Sequence, residues 1–244
     1  MEENEDERSE SGNPIYRYGE RKKPFESVVA SSEDVDLIEK HIEQHIGKSD
    51  MVWHELVSDL VHLDVHHIKP TANRNVHTLI TTGMSDLAMR PPPEAELSKY
   101  AELMITLPLE WPISEEAFQN EENYWVVGLL KLLARFPHVY ETWLWWGHTM
   151  PNGDPAMPFH NSNNFVGVIL APPVTVPKEF LTLKCSPEKN VHFFSVIPLY
   201  QEEMDLKLNK GADPLYDLFD KNGINEIVNV NRKNVAKKKW WPFA

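Results

Sequence analysis

The side chains best equipped for chemistry crowd between residues 54 and 66. His54-Glu55-Leu56-Val57-Ser58 begins like the His-Glu-x-x-His helix of zinc proteases, but Ser58 stands where the second histidine ligand belongs. His62, Asp64 and His66 alternate with Val61, Leu63 and Val65, so on a strand the three polar side chains share one face. That set could supply part of a metal shell. Same-face neighbours on a strand stand about 6–7 Å apart at the backbone, however, so convergence on one ion would need bent side chains. The reading adopted is a polar face turned to solvent or to a protein partner, with no metal site.

Other reactive types are less suggestive. Cys185 sits in Leu183-Lys184-Cys185-Ser186-Pro187, with no local motif to make it a nucleophile, and reads as a structural cysteine. Glu202 and Glu203 are neighbours on an expected helix, and adjacent helical positions do not face each other. There is no zinc-finger His/Cys spacing, Walker loop, Gly-x-Ser-x-Gly elbow or Gly-x-Gly-x-x-Gly turn. No catalytic residue and no cofactor are therefore assigned. The aromatic group Trp143, Trp145, Trp146 and His148 is placed on a strand, which puts Trp143 and Trp145 on one face and Trp146 and His148 on the other. One face is core; the other is a candidate binding surface, because Trp and Tyr dominate interface hot spots.

The elements that must position these groups follow from periodicity. Ser31 and Ser32 before Glu33 and Asp34 start a helix carrying Val35, Ile38, Ile42, His45 and Ile46, which Gly47 stops. Strands are expected at Val61–His66, Val76–Thr82, Tyr100–Leu107, Thr142–Thr149, Phe165–Leu170, Phe180–Leu183 and Val191–Ile197. A helix is expected to begin after Ser114, and the apolar stretch 123–136 reads as a buried central helix punctuated by Pro137. Two short helices come last, Leu199–Asn209 and one from Asp213 as N-cap with Pro214 at N1 to Gly223. Strands and helices do not alternate strictly, so the fold class is α+β: a single domain with a mixed or largely antiparallel sheet covered by helices.

The 41% hydrophobic content, with 8 Trp, 10 Phe and 7 Tyr, is ample for one core. Residues 1–13 are acidic and nearly free of apolar groups, so they read as a disordered arm. Residues 14–238 form the domain and 239–244 a tail. Of the net charge of −13, the acidic start is offset by Arg232, Lys233, Lys237, Lys238 and Lys239 near the end, so the domain body carries the excess. An acidic body repels nucleic acid and steers basic proteins toward it. The acidic opening and the lack of a long apolar run predict a cytoplasmic protein without a membrane span. A single cysteine fits a reducing compartment.

Several longer segments occur in a fixed order: His77-Thr78-Leu79-Ile80-Thr81-Thr82-Gly83-Met84-Ser85-Asp86-Leu87, Tyr100-Ala101-Glu102-Leu103-Met104-Ile105, Ala134-Arg135-Phe136-Pro137-His138, Trp143-Leu144-Trp145-Trp146-Gly147-His148, Pro151-Asn152-Gly153-Asp154-Pro155, Ser195-Val196-Ile197-Pro198-Leu199-Tyr200 and Arg232-Lys233-Asn234-Val235. Together they resemble the suppressor-of-fused domain family, particularly its single-domain bacterial branch, over roughly residues 14–238. The resemblance implies a compact α+β domain that grips other proteins and has no catalytic residues. In animals a related protein represses Hedgehog signalling by binding Gli transcription factors, using a second domain to clamp a peptide that adds as a strand. The length of this chain is expected to leave no room for that second domain, so the two-domain clamp is not carried over. Many bacterial relatives are regarded as immunity proteins that neutralise toxin domains.

The expectation is a non-enzymatic immunity or antitoxin protein whose partner is a basic toxin domain, with no nucleic acid and no membrane involved. A general protein-binding adaptor is the alternative, and a metal-dependent enzyme using His62, Asp64 and His66 is a third reading. The partner site is placed on His62, Asp64, His66, Thr81, Gly83, Ser85, Asp86, Trp145 and His148.

Overall fold

A computed structural model describes residues 7–21, 23–28, 33–55 and 57–237. Their chain order is α1 (Glu33–His45), β1 (Ser49–Trp53), β2 (Asp64–Ile68), β3 (Val76–Thr82), β4 (Tyr100–Pro108), α2 (Glu121–Val139), β5 (Thr149–Pro151), β6 (Gly167–Ala171), β7 (Thr182–Lys184), β8 (Asn190–Leu199), α3 (Gln201–Lys210) and α4 (Asp213–Lys221). One eight-stranded sheet runs β1-β2-β3-β4-β8-β6-β5, with β7 also paired to β8. Every pairing is antiparallel except β4 with β8, so the sheet is mixed and the fold is α+β. β8 is long enough to serve three neighbours: β4 along one side, and β7 then β6 along the other.

Register explains why the central strands read as unbroken apolar runs. Leu79 pairs with Ile105 and Ile80 with Met104. Leu79 and Ile105 pack with Val65, Phe194 and Val196 against the buried stripe of α2, while Ile80 and Met104 pack with Phe193 against Ile38 and Ile42 of α1. Ile169, Ile197 and Leu199 meet Met204 of α3 and Leu215 and Phe219 of α4. Helices therefore cover both faces, and strands buried on both faces lose polar alternation.

α2 contains the expected buried stretch but begins at Glu121, where Asn120 accepts from Glu122 N and caps it. The start expected after Ser114 is instead a 3₁₀ turn at Ala117–Gln119, with Ser114 Oγ accepting from Ala117 N. Pro137 does not end α2; it lies inside and buried, and the helix runs two residues further. The strand expected at Thr142–Thr149 shrinks to β5, because Arg90 N donates to Thr142 O and Gly147 turns with φ 81° before the chain reaches β6. Phe180–Leu183 is a 3₁₀ turn over Lys178–Leu181 followed by β7. The strand expected from Val61 starts only at Asp64, since Leu60 adopts φ 66° and kinks the approach. Ala212, not Asp213, is the N-cap of α4.

The expected acidic arm and tail lie partly outside the described residues: 1–6 at one end and 238–244 at the other. Within the arm, residues 7–13 have a defined conformation. Ser11 N donates to Leu208 O, and Arg17 pairs with Glu7.

Candidate functional site

Three of the motif segments, those around Gly83, Glu102 and His138, meet at one end of the sheet, where β3 leaves it. Gly83 ends β3 with φ 97°, and a Cβ there would stand 1.8 Å from the His62 carbonyl oxygen. Only glycine fits this crossing. The 3₁₀ turn that follows, Met84–Asp86, is held from two sides. Glu102 on β4, fully buried, accepts from Ser85 N at 3.0 Å, Ser85 Oγ at 2.7 Å and Thr81 Oγ1 at 2.6 Å. Burial pushes the Glu102 carboxyl up, and the three donors only partly offset this. From α2, His138 Nε2 meets Met84 O at 2.9 Å, and burial drops the imidazole to about 4, so it is neutral and donates.

Beside this turn lies the loop between β1 and β2. Arg135 of α2 reaches Glu55 at 2.5 Å and donates to Asp59 O at 3.2 Å, fixing the loop to the helix. The loop presents His54, which stands 3.0 Å from Asp64, and His62, which stands 3.3 Å from Asp64 and 2.6 Å from Ser58 Oγ. His66, expected beside them, is buried under α1: its Nε2 bonds Thr82 Oγ1 at 3.0 Å and lies 3.8 Å from Glu39. Burial lowers His66 to about 4. The triad that actually converges is thus His54, His62 and Asp64. Lys131 of α2 and Glu39 of α1 border it; desolvation lowers the ammonium of the first and raises the carboxyl of the second.

The site residues placed from sequence fall into two neighbourhoods. His62, Asp64, Thr81, Gly83, Ser85 and Asp86 come together at the sheet end, with Thr81 and Ser85 fully buried and Asp86 partly exposed. Trp145 and His148 lie elsewhere. Trp145 packs edge-on against His192 at 4.8 Å and Phe194 at 4.9 Å, and His148 meets Trp143 at 4.6 Å. That last contact overturns the strand alternation expected for Trp143 and His148, because the segment turns at Gly147. His148 is lowered to about 4 by burial. Both Trp143 and His148 line an open groove of about 1920 Å³ that runs from Glu55, Lys131 and Arg135 to Trp146 and Lys207. Trp146 is about half exposed on its wall.

Reading residues alone missed His54, discarded with the protease motif, and the structural use of Glu102, Arg135 and His138. It also missed Glu203 of α3, wholly buried and gripped by Arg232 through two bonds of 2.6 and 2.5 Å. The available signal was a charged residue inside an apolar run, as at Glu102, which a buried position tolerates only with partners.

No helix among the described residues is long and apolar enough to cross a membrane. No curated protein matches the chain. The fold is similar to that of a suppressor-of-fused homologue from Neisseria gonorrhoeae, with TM-score 0.60 and 17% identity over 83% of this chain and 97% of that one. It is similar to a chain of the Sufu–Fu complex, with TM-score 0.57 and 14% identity over 82% and 90% of the two chains. Drosophila Suppressor of Fused gives TM-score 0.53 and 12% identity over 82% of this chain and 50% of that one. The sequence itself matches the family described as suppressor of fused protein (SUFU) across residues 59–233, a span holding the turn at Gly83, the Glu102 anchor, α2 and the Arg232 clasp; the chain belongs to the SUFU family.

Proposed function

We propose that this protein is a non-enzymatic binding domain whose partner is a basic protein, and that it acts as an immunity or antitoxin protein neutralising a toxin domain. The observation that carries the reading is the division of labour among its polar groups. Glu102, Arg135, His138, Glu203 and Arg232 are used up in tying the fold together, while the chain carries a net charge of −13. Such a field steers cationic partners and accelerates encounter more than it tightens the final complex. A protein partner is also what the Sufu–Fu complex contains. The proposed contact surface is the sheet end: His54 and His62 at the rim, Asp64 behind them and Glu39 on α1. Thr81, Gly83 and Ser85 act by holding the rim's backbone.

Co-expression tests this directly. A basic toxin domain encoded beside this gene should lose its lethality when the chain is present, and Glu39→Lys, at a half-exposed position, should slow association several-fold at low salt without lowering Tm. Equal killing with and without the chain refutes the immunity role. Recovery of a signalling or housekeeping protein as the stoichiometric partner would favour the adaptor reading, which the same acidic surface also serves.

A further inference from the structure

Asp64 presents a problem that the protein alone does not solve. It is 9% exposed, its Oδ1 accepts no hydrogen bond among the described residues, and no lysine or arginine among them forms an ion pair with it. Leaving a buried carboxylate oxygen without a donor is costly. Its neighbours are two imidazoles, His54 Nδ1 at 3.0 Å from Oδ2 and His62 Nε2 at 3.3 Å from Oδ1. One donor atom from each of the three residues lies within 4.8 Å of the others. A tetrahedral Zn²⁺ with bonds of about 2.0–2.2 Å holds its ligands roughly 3.3–3.6 Å apart, so the 3.3 Å His62–Asp64 separation fits one ion and side-chain shifts would bring the other pairs to it.

His62 adds an independent pointer. Its Nδ1 lies 2.6 Å from Ser58 Oγ. In the tautomer with Nδ1–H donating to that hydroxyl, the Nε2 lone pair is left free to take a cation beside Asp64 Oδ1, 3.3 Å away. An outer hydrogen bond on the far ring nitrogen is also how proteins orient a metal-bound imidazole. We propose that His54, His62 and Asp64 bind a divalent transition-metal ion of the zinc class, with Ser58 orienting His62 and a fourth coordination position open toward solvent. The two imidazoles select against Mg²⁺ and Ca²⁺, which take oxygen ligands. His54 is two-thirds exposed, so ions exchange directly with solvent and the open position is accessible to a partner's side chain.

The metal ligands belong to the proposed contact surface, but the test needs no partner, so its outcome is independent of the protein-binding reading. The full chain, stripped with chelator, is titrated with Zn²⁺ alone by calorimetry and with Co²⁺ by visible absorption. The expected result is one ion per chain, a four-coordinate Co²⁺ spectrum, and no competition from equimolar Mg²⁺. Ser58→Ala should weaken Zn²⁺ by about 10–100-fold and His54→Ala by at least as much, while His160→Ala, a partly exposed histidine outside the cluster, should change nothing. Because His54 is on the rim, metal-free His54→Ala should keep the parental Tm, so its lost affinity is not a folding defect. Absence of one-to-one binding, or equal affinities for His54→Ala and His160→Ala, overturns the proposal.

Discussion

Arg232→Ala should be among the most damaging single changes in this protein, although Arg232 lies outside every helix and strand. Its guanidinium holds both oxygens of Glu203, a carboxylate with no exposed surface, and donates to Pro198 O at 2.8 Å. The cation also sits over three rings, Tyr200 at 4.8 Å, Phe165 at 5.1 Å and Phe219 at 5.3 Å. Truncation leaves Glu203 charged, buried and without its counter-ion, a loss of about 3–5 kcal/mol. For a domain of this size that lowers Tm by roughly 6–20 °C. Urea unfolding followed by far-UV circular dichroism gives the value, provided the slope m is unchanged.

The double variant Glu203→Met/Arg232→Met sharpens the test. It removes the stranded charge but also deprives Tyr200 N and Val235 N of their acceptor, Glu203, and each unsatisfied amide costs about 1–3 kcal/mol. The double variant should therefore remain destabilised, yet by clearly less than the sum of the two single changes. Simple additivity, or an Arg232→Ala cost below about 1 kcal/mol, would refute the claim that this pair is a buried, coupled clasp.

Gly83→Ala should destabilise by at least about 3 kcal/mol, because it adds a steric collision with the His62 carbonyl to the ordinary penalty for a left-handed residue. Gly223→Ala, at φ 66° with open space around it, should cost only the left-handed penalty of about 1–2 kcal/mol; equal losses at the two sites in urea unfolding would contradict the geometry. Stability should fall as pH drops from 6.5 toward 4. His66, His67, His138 and His148 all have native values near 4 against 6.5 unfolded, so over that interval the unfolded chain binds more protons. Each such histidine adds at most about 1.4 kcal/mol per pH unit to the slope. The raised carboxyl of Glu102 works in the opposite sense, its contribution being present at low pH and lost as pH rises through its native value. His138→Gln should flatten the pH dependence of unfolding, and an unchanged slope would show that His138 does not titrate on unfolding.

Some of this architecture was legible because it depends on local periodicity. α1, the α2 core stretch, β3 and β4 announce themselves through apolar spacing, and the sheet class followed from the order of elements. What escaped the reading involves partners distant in sequence. Bulky aromatic residues favour pleated backbone and so suggest a strand at Thr142–Thr149, whereas tertiary bonds to Arg90 and Leu170 bend that segment instead. β1 went unseen because its five residues are only partly buried and it is an edge strand with weak patterning. Alternation alone groups His66 with His62 and Asp64. Alternation fixes which face a side chain takes, but α1 covers that face at His66 and leaves it open only beyond the start of β2.

The recognisable segments make physical sense as ties between parts far apart in sequence. Gly83 lets β3 cross the His62 carbonyl; Glu102 and His138 grip the turn that follows; Arg135 pins the loop bearing His54. Removing any one tie frees backbone next to the rim and not the rim side chains themselves. Those side chains are few and replaceable by comparison, since exposed groups at a rim contribute through charge and shape and not through packing. The consequence for experiment is direct: substitutions within the ties should lower stability and binding together, whereas changes at His54 or Glu39 should alter binding while leaving unfolding untouched.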